Sequence, residues 1–392
     1  MIDPTPIQVL FFDHEFQLGG AEISMVNIVR YSSKKEVIYS VALPGKGPLS
    51  KALVVAGANR LIYGRMDGWR WWERGIKNRI KLFLSLPIQL KNIWAWRSII
   101  KNTNPDIIHF NLTRMVEPLI AARMLGKPMV LHCREHQSNN ASFFGGMKAL
   151  SCLMRLCSFW IYNSQNTASS LEPFRPNSIR YEVIPNGIPV GEFMEQSPNV
   201  PASGGRDTYS VLMAATLVPW KNHLDALKVA KLIHDEIPNV KFVFAGTGSS
   251  EYTTLLKEET RKLGIDEVVD FPGFIQNSVG LFQRADIVMH TSKNESFGKI
   301  YVEAMAASKP IVAFRGGAAE EVIQEGITGY LFQSDELQKM ASQIVTLLKD
   351  EQLRAVIGEA GRKYAAQNYS MEIHCKRIQN VYSQLKQKST NA

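Results

Sequence analysis

Short apolar runs alternate with stretches of helical periodicity along almost the whole chain. Runs at 8–12, 37–43, 106–110, 128–132, 159–162 and 181–184 have the length and composition of buried strands, with helical sequence between them. Residues 194–206, Met-Glu-Gln-Ser-Pro-Asn-Val-Pro-Ala-Ser-Gly-Gly-Arg, then break the pattern and predict a linker. Beyond it, runs at 210–214, 240–245, 268–271, 287–290 and 310–314 resume the alternation, and 337–386 reads as helix throughout. This pattern predicts α/β layers with mostly parallel sheets, in two series. No repeat of solenoid period interrupts it.

Length supports the division: 392 residues exceed the size at which a single core usually stops growing, about 250–300 residues. A hydrophobic fraction of 45% with 21% charged residues is that of a soluble globular protein and argues against extensive disorder. Cys133, Cys152, Cys157 and Cys375 form no CxxC pair, so a reducing cytosol is the simplest compartment. The start, Met-Ile-Asp-Pro, lacks the basic and apolar regions of a secretory leader, and no apolar stretch has the length of a membrane span.

The net charge of +9 is uneven. Residues 65–101 hold nine bases against Asp67 and Glu73, together with five of the seven tryptophans, Trp69, Trp71, Trp72, Trp94 and Trp96. Ile76, Ile80, Phe83 and Leu84 recur at helical spacing among Lys77, Arg79 and Lys81, which predicts a basic amphipathic helix as far as Pro87. Two readings stay open: an anionic membrane surface as partner, with peripheral placement on the inner face of the plasma membrane, or a domain helix with its apolar side on the core. No nucleic-acid motif accompanies the bases, so nucleic acid is not expected as a partner.

The candidate chemistry centres on Glu295-Ser-Phe-Gly-Lys-Ile-Tyr-Val-Glu303, where a strand runs into a helix. Gly298 falls near the helix N-terminus, where free N–H groups and the positive dipole end suit a phosphate. Glu295 and Glu303 can face one ligand there; a helix start capped by an acid is the plainer alternative. Three glycine-rich turns follow strands: Gly19-Gly20, Gly246-Thr-Gly248 and Gly316-Gly317. The second lacks the third glycine of a dinucleotide fingerprint, having Glu251 there. Lys221, at the start of a helix after the strand at 210–214, is placed to meet a diphosphate. His109, His132, Arg134, Glu135 and His136 cluster at the ends of two strands of the first series, where open α/β sheets bind ligands. His132 and His136 have no third metal ligand at convincing spacing. The chain has no Asp-x-Asp, so no seat for a divalent ion and no cofactor is expected.

Together these motifs resemble the retaining glycosyltransferases of family 4, which have the two-domain GT-B fold. The strongest block runs through Phe271-Pro-Gly-Phe274, Glu295-Ser-Phe-Gly298, Glu303-Ala-Met-Ala306, Lys309-Pro-Ile-Val312, Gly316-Gly317 and Gly326-Ile-Thr-Gly329. Gly19-Gly20-Ala-Glu22 and Val183-Ile-Pro-Asn-Gly-Ile188 match more weakly. The resemblance implies two Rossmann-like domains facing across a cleft: an acceptor-binding domain at 1–193, a nucleotide-sugar domain at 194–368 and a last helix at 369–392 returning to the first. It further implies a nucleotide-diphosphate sugar donor, UDP-glucose being common in the family, while the basic tryptophan segment suggests a glycan or lipid-linked acceptor, as in cell-surface polysaccharide assembly.

By resemblance, Glu303 would bind the ribose and Glu295 the donor sugar. N–H groups at Gly298, Lys299 and Ile300, with Gly19, Gly20 and Gly246, would meet the diphosphate, Phe274 the base, and Lys221 the leaving charge. Two departures stand near the expected chemistry. Thr216 occupies the position of an arginine five residues before that lysine. Arg134-Glu135, flanked by His132 and His136, replaces the family's His-Asp; that strip, with His109, is expected at the sugar or acceptor. An epimerase or hydrolase on the same scaffold, and a protein that binds sugar nucleotide without transfer, are the competing readings.

Overall fold

The structure is a computed structural model and describes residues 5–66, 80, 83–111, 115–135, 151–195, 208–275 and 277–390. It divides into two units, Met1–Gly187 with Met371–Ala392, and Ile188–Ser370. The first carries β1 (Ile7–Phe12), β2 (Val37–Leu43), β3 (Arg60–Tyr63), β4 (Ile107–Phe110), β5 (Met129–Cys133), β6 (Phe159–Tyr162) and β7 (Arg180–Val183). They form one parallel sheet in the order β3-β2-β1-β4-β5-β6-β7. The second carries β8 (Tyr209–Ala214), β9 (Val240–Ala245), β10 (Val269–Gly273), β11 (Ile287–His290), β12 (Ile311–Phe314) and β13 (Gly329–Phe332). These are also parallel, in the order β10-β9-β8-β11-β12-β13.

Parallel strands need crossovers, and the crossover helices cover both faces, which is why the strands read as unbroken apolar runs. On β1, Leu10 and Phe12 face a core shared with Trp96 and Ile100, while Val9 and Phe11 face Ile378, Val381 and Tyr382 of the helix Met371–Thr390. In each sheet the winding direction reverses once, between β1 and β4 and between β8 and β11. Loops diverge at such a switch point and leave a crevice beyond the strand ends.

Two strands were absent from the sequence expectation. β3 is an exposed edge of four residues, and β13 opens on Gly329, so neither shows a long apolar run. The second unit begins at Ile188 rather than at 194, because Ile188, Val190 and Phe193 share an apolar cluster with Phe282, Tyr301 and Tyr369. Tyr369 is in that cluster too, so the chain rejoins the first unit at Met371. Met194 and Glu195 lie within the helix Val190–Glu195, and the rest of the expected linker, 196–206, lies outside the described residues. Ile80, Phe83 and Leu84 are helical, Ser85 is a turn, and Pro87 then stands in the first turn of the next helix, Leu86–Thr103, where a residue needs no N–H. The expected helical positions 76–79 and 81–82 lie outside the described residues, as do Trp69, Trp71 and Trp72. No described helix is long and apolar enough to cross a membrane.

Candidate active site

In the second unit the switch point gathers Lys221 from the loop after β8 and Glu295 from the loop after β11. Lys221 ends a short turn, Pro219–Lys221, and Asn222 follows in the left-handed region at φ 54°. Thr291 fixes this corner: its hydroxyl donates to the Lys221 carbonyl (3.1 Å) and the Asn222 carbonyl (3.0 Å). Asn222 Nδ2 donates back to the Thr291 carbonyl at 3.1 Å. The Lys221 ammonium thus meets Glu295 Oε1 in an ion pair, and the same oxygen lies 2.7 Å from His290 Nε2. Burial alone would raise the Glu295 carboxyl; the hydrogen bond and charge of His290, followed by Lys221, outweigh it and hold the group well below the usual carboxylate range. Glu295 is therefore ionised at any working pH and is no proton donor.

The Glu295 loop rests on the Gly316-Gly317 turn. Ala318 N–H donates to the Glu295 carbonyl (3.0 Å), and a Cβ on Gly317 would stand 2.6 Å from the Glu295 nitrogen. Those glycines are thereby accounted for by backbone packing. Gly246 has the same kind of cause, since a Cβ there would fall 1.9 Å from the Ala215 carbonyl oxygen. Gly298, buried at φ 72°, starts the helix Lys299–Ala306 and packs under Tyr301, whose ring lies 2.2 Å from the position of a Cβ. Lys299 and Ile300 form the first turn of that helix, at the positive end of its dipole. Glu303 is half-buried one turn on; burial raises its carboxyl and Lys299 partly offsets this. Thr216 is exposed, and Phe274 is 64% exposed at the end of β10. Ser292 Oγ, His290 Nδ1 and the Tyr301 hydroxyl are buried with no hydrogen-bond partner among the described residues.

The first unit's switch point is built differently. Asp13 follows β1 and Asn111 follows β4; Asn111 Nδ2 donates to Asp13 Oδ2 at 2.6 Å. Arg134, just past β5 and 5% exposed, donates from Nε to Asn111 Oδ1 (2.8 Å), from one terminal nitrogen to Asn186 Oδ1, and from the other to His132 Nδ1 (3.2 Å). Burial, then the charge of Glu22, push the Asp13 carboxyl up to about 7. Burial likewise lowers Arg134 to about 10, with Asp13 and Glu22 acting against it. Gly19 and Gly20 are exposed at the start of the helix Gly20–Tyr31, and a Cβ on Gly20 would meet nothing within 4 Å.

His109 and His132 do not stand open as the sequence suggested. Both are fully buried, and His109 stacks on Phe11 (4.1 Å between centroids) and bonds Tyr382 through Nδ1 at 2.6 Å. Burial holds both imidazoles well below their ordinary value. The physical reason is the helix Met371–Thr390, which covers that face of the sheet and adds His374, bonded through Nδ1 to the Pro185 carbonyl at 2.6 Å. Glu135 is half-buried, and His136 lies outside the described residues. Among the described residues no group of three or more His, Cys, Asp or Glu is arranged to hold a metal ion. Asp13, Asn111 and His290 were not singled out from sequence. Asp13 and Asn111 are the first residues beyond two correctly placed strands, so the switch-point rule carried the signal that would have found them.

Two family models match the chain: that described as glycosyl transferases group 1 over residues 200–364, and that of glycosyltransferase family 4 over residues 18–192. The chain belongs to glycosyltransferase family 4. This family 4 chain is 33% identical over 144 residues to the N-acetyl-alpha-D-glucosaminyl L-malate synthase of Bacillus anthracis, 37% of either protein. It is 28% identical over 228 residues to the D-inositol 3-phosphate glycosyltransferase of Corynebacterium urealyticum, 55% of this chain and 53% of that protein. It thus spans about half or less of these curated relatives' length. Among solved structures, Anabaena HepE in complex with UDP-glucose superposes with a TM-score of 0.77 at 23% identity, covering 96% of this chain and all of that one. The sucrose-phosphate synthase of Thermosynechococcus elongatus gives 0.73 at 16%, covering 97% and 99%. At these identities the superpositions establish the GT-B fold.

Proposed function

We propose that the chain transfers a sugar from a nucleoside diphosphate to a hydroxyl acceptor, with retention at the anomeric carbon and UDP-glucose as donor. The observation that carries this is the Lys221–Glu295 pair beside the Gly298 helix start, an ammonium and a first turn of N–H groups that together suit a diphosphate. In the reaction the bond from the anomeric carbon to the diphosphate breaks, the acceptor oxygen bonds the same face of that carbon, and the acceptor proton passes to the departing diphosphate. Glu295, kept ionised, holds the sugar and supplies no proton. Lys221 leaves Glu295 for the diphosphate as charge develops there, Glu303 takes the ribose and Phe274 the base. The acceptor falls to the first unit, through Arg134 and Glu135; a glycan or lipid-linked hydroxyl of cell-surface polysaccharide assembly suits the family. No divalent ion has a step in this scheme.

Thr216, exposed where the family has an arginine, favours a second reading in which donor binds without transfer. One experiment separates the two. A panel of nucleotide sugars is screened for thermal stabilisation, and the hits are assayed with and without hydroxyl acceptors in excess EDTA. Transferase action requires UDP-glucose stabilisation and acceptor-dependent release of UDP that EDTA leaves intact. Stabilisation without release on any acceptor supports the second reading, and release to free or epimerised sugar without acceptor supports hydrolysis or epimerisation.

A further inference from the structure

The helix Leu86–Thr103 is turned inside out along its first half. Its inward side buries Gln89 and Asn92, with Ser85 just ahead, and Gln89 Nε2 donates to Ser85 Oγ at 2.7 Å. Its outward side exposes Leu86 (40%), Leu90 (58%) and Trp94 (58%), spaced four residues apart and so on a single stripe. Ile80, Phe83 and Leu84 add to the same stretch. Seven of the twenty-one large apolar side chains exposed among the described residues thus lie between Ile80 and Trp94. The second half of the helix is ordinary: Trp96 and Ile100 are buried in the core, and Trp96 Nε1 donates to the Arg65 carbonyl at 2.9 Å. A helix anchored at one end presents a concentrated apolar face at the other, which in water is costly unless something covers it.

Charge selects the cover. From residue 74 to residue 105 the sequence has seven bases and no acid. On the helix, Lys91 is exposed beside Leu90, and the stripe continues from Trp94 into Arg97 and exposed Lys101. The Arg97 guanidinium lies 5.4 Å from the Trp94 ring centroid. A second copy of the chain set against this face would oppose base to base. We propose that the face from Phe83 to Lys101 docks on an anionic membrane surface. Leucine and tryptophan enter the headgroup boundary there, while Lys91, Arg97 and Lys101 meet lipid phosphate and the negative surface potential. This inference is independent of the transferase reading, since nothing in it requires a sugar nucleotide.

The test is flotation of the full chain, without donor, on vesicles of phosphatidylcholine alone and of phosphatidylcholine with about a third phosphatidylglycerol. The expected result is at least a tenfold preference for the anionic vesicles, weakened by 0.5 M salt on the order expected from screening. Leu90→Ser with Trp94→Ser should cut partitioning about tenfold while leaving the melting temperature in place, because both side chains are exposed. Lys91→Ser with Lys101→Ser should remove the preference for anionic over neutral lipid. Equal partitioning on both vesicles, absence of binding, or binding unchanged by the Leu90/Trp94 pair overturns the proposal. So does a concentration-dependent dimer, seen by sedimentation, that the same pair abolishes in a protein that ignores vesicles.

Discussion

The two units place polar residues at the same topological position, the switch point of a parallel sheet, and solve the burial of charge in opposite ways. In the second unit a cation and a carboxylate touch: Lys221 meets Glu295, and His290, followed by Lys221, drives that acid down. In the first, Arg134 is held by two side-chain amides and an imidazole, and Asn111 stands between it and Asp13. Burial, then the charge of Glu22, outweigh the hydrogen bonds from Glu15 N–H and Asn111, and Asp13 is pushed up to about 7. Fold and position are alike, so the sign follows the partners: the hydrogen bond and charge of His290, then Lys221, lower Glu295, whereas burial beside Glu22 raises Asp13. The neutral cradle fixes the orientation of its arginine without cancelling the charge. The direct pair leaves a lysine able to exchange one anion for another.

The sharpest break of this contrast falls on the exchangeable cation. Lys221→Ala should lower kcat by about 10²–10³, the loss typical of one preorganised group at a developing oxyanion, with donor KM changed far less. Equal losses in both would mean that Lys221 binds donor without favouring its departure. In the neutral cradle the principal effect should be on stability. Arg134→Met strands Asn111 Oδ1 and Asn186 Oδ1 in a buried place, and should cost about 3 kcal/mol in urea unfolding, since hydrogen bonds to a charged group are worth about 1.5–3 kcal/mol each. Arg134→Lys should recover less than half of that loss, because a point charge cannot span the three acceptors of a planar fork. An unchanged urea midpoint in either variant would put the cradle's role elsewhere.

Acidity separates the units next. His109, His132 and His374 are held by burial below their ordinary value, the last at about 3, so the unfolded chain takes up protons that the folded one refuses. Their contribution is complete above pH 6.5 and is lost as pH falls toward 3. Asp13 runs the other way. With its folded value raised from 3.8 to about 7, its protonated form favours folding in acid, and that contribution is lost as pH rises through 7. Asp13→Asn should therefore gain stability relative to the parent as pH rises from 5 to 8, read as urea midpoints against pH. Glu295→Gln should show no such trend over this range, because a lowered carboxyl loses its contribution only below the ordinary value of 4.5. A parallel trend in the two variants would end the contrast.

Much of this was legible in the chain. Eleven strand positions and the Glu295-to-Glu303 block could be read because buried parallel strands leave continuous apolar runs and because glycine marks tight backbone turns. β3 and β13 escaped because an edge strand and one beginning with glycine carry neither signal. His109 was misread for a more general reason: a histidine at a strand end looks the same whether solvent or a distant helix covers it. Tyr382, the residue that covers it, lies 273 positions away. The glycines of Gly246 and Gly316-Gly317 looked like phosphate turns, and backbone contact with Ala215, Lys293 and Glu295 explains them without a ligand.

At the helix start, Gly298→Ala combines a left-handed φ of 72° with a Cβ 2.2 Å from the Tyr301 ring. It should cost about 1–3 kcal/mol and weaken donor binding, as the first turn shifts. The smallest effect belongs to Phe274. A side chain 64% exposed contributes little to folding, so Phe274→Ala should move the melting temperature by no more than a degree or two, within the usual surface range of about 0.5 kcal/mol. If Phe274 stacks on the donor's base, the same substitution should weaken UDP binding by about 1–2 kcal/mol, roughly five- to thirtyfold in Kd, with kcat untouched, since the base is remote from the breaking bond. A loss of kcat at unchanged Kd would instead tie Phe274 to the reacting end and move the base to another surface of the second unit.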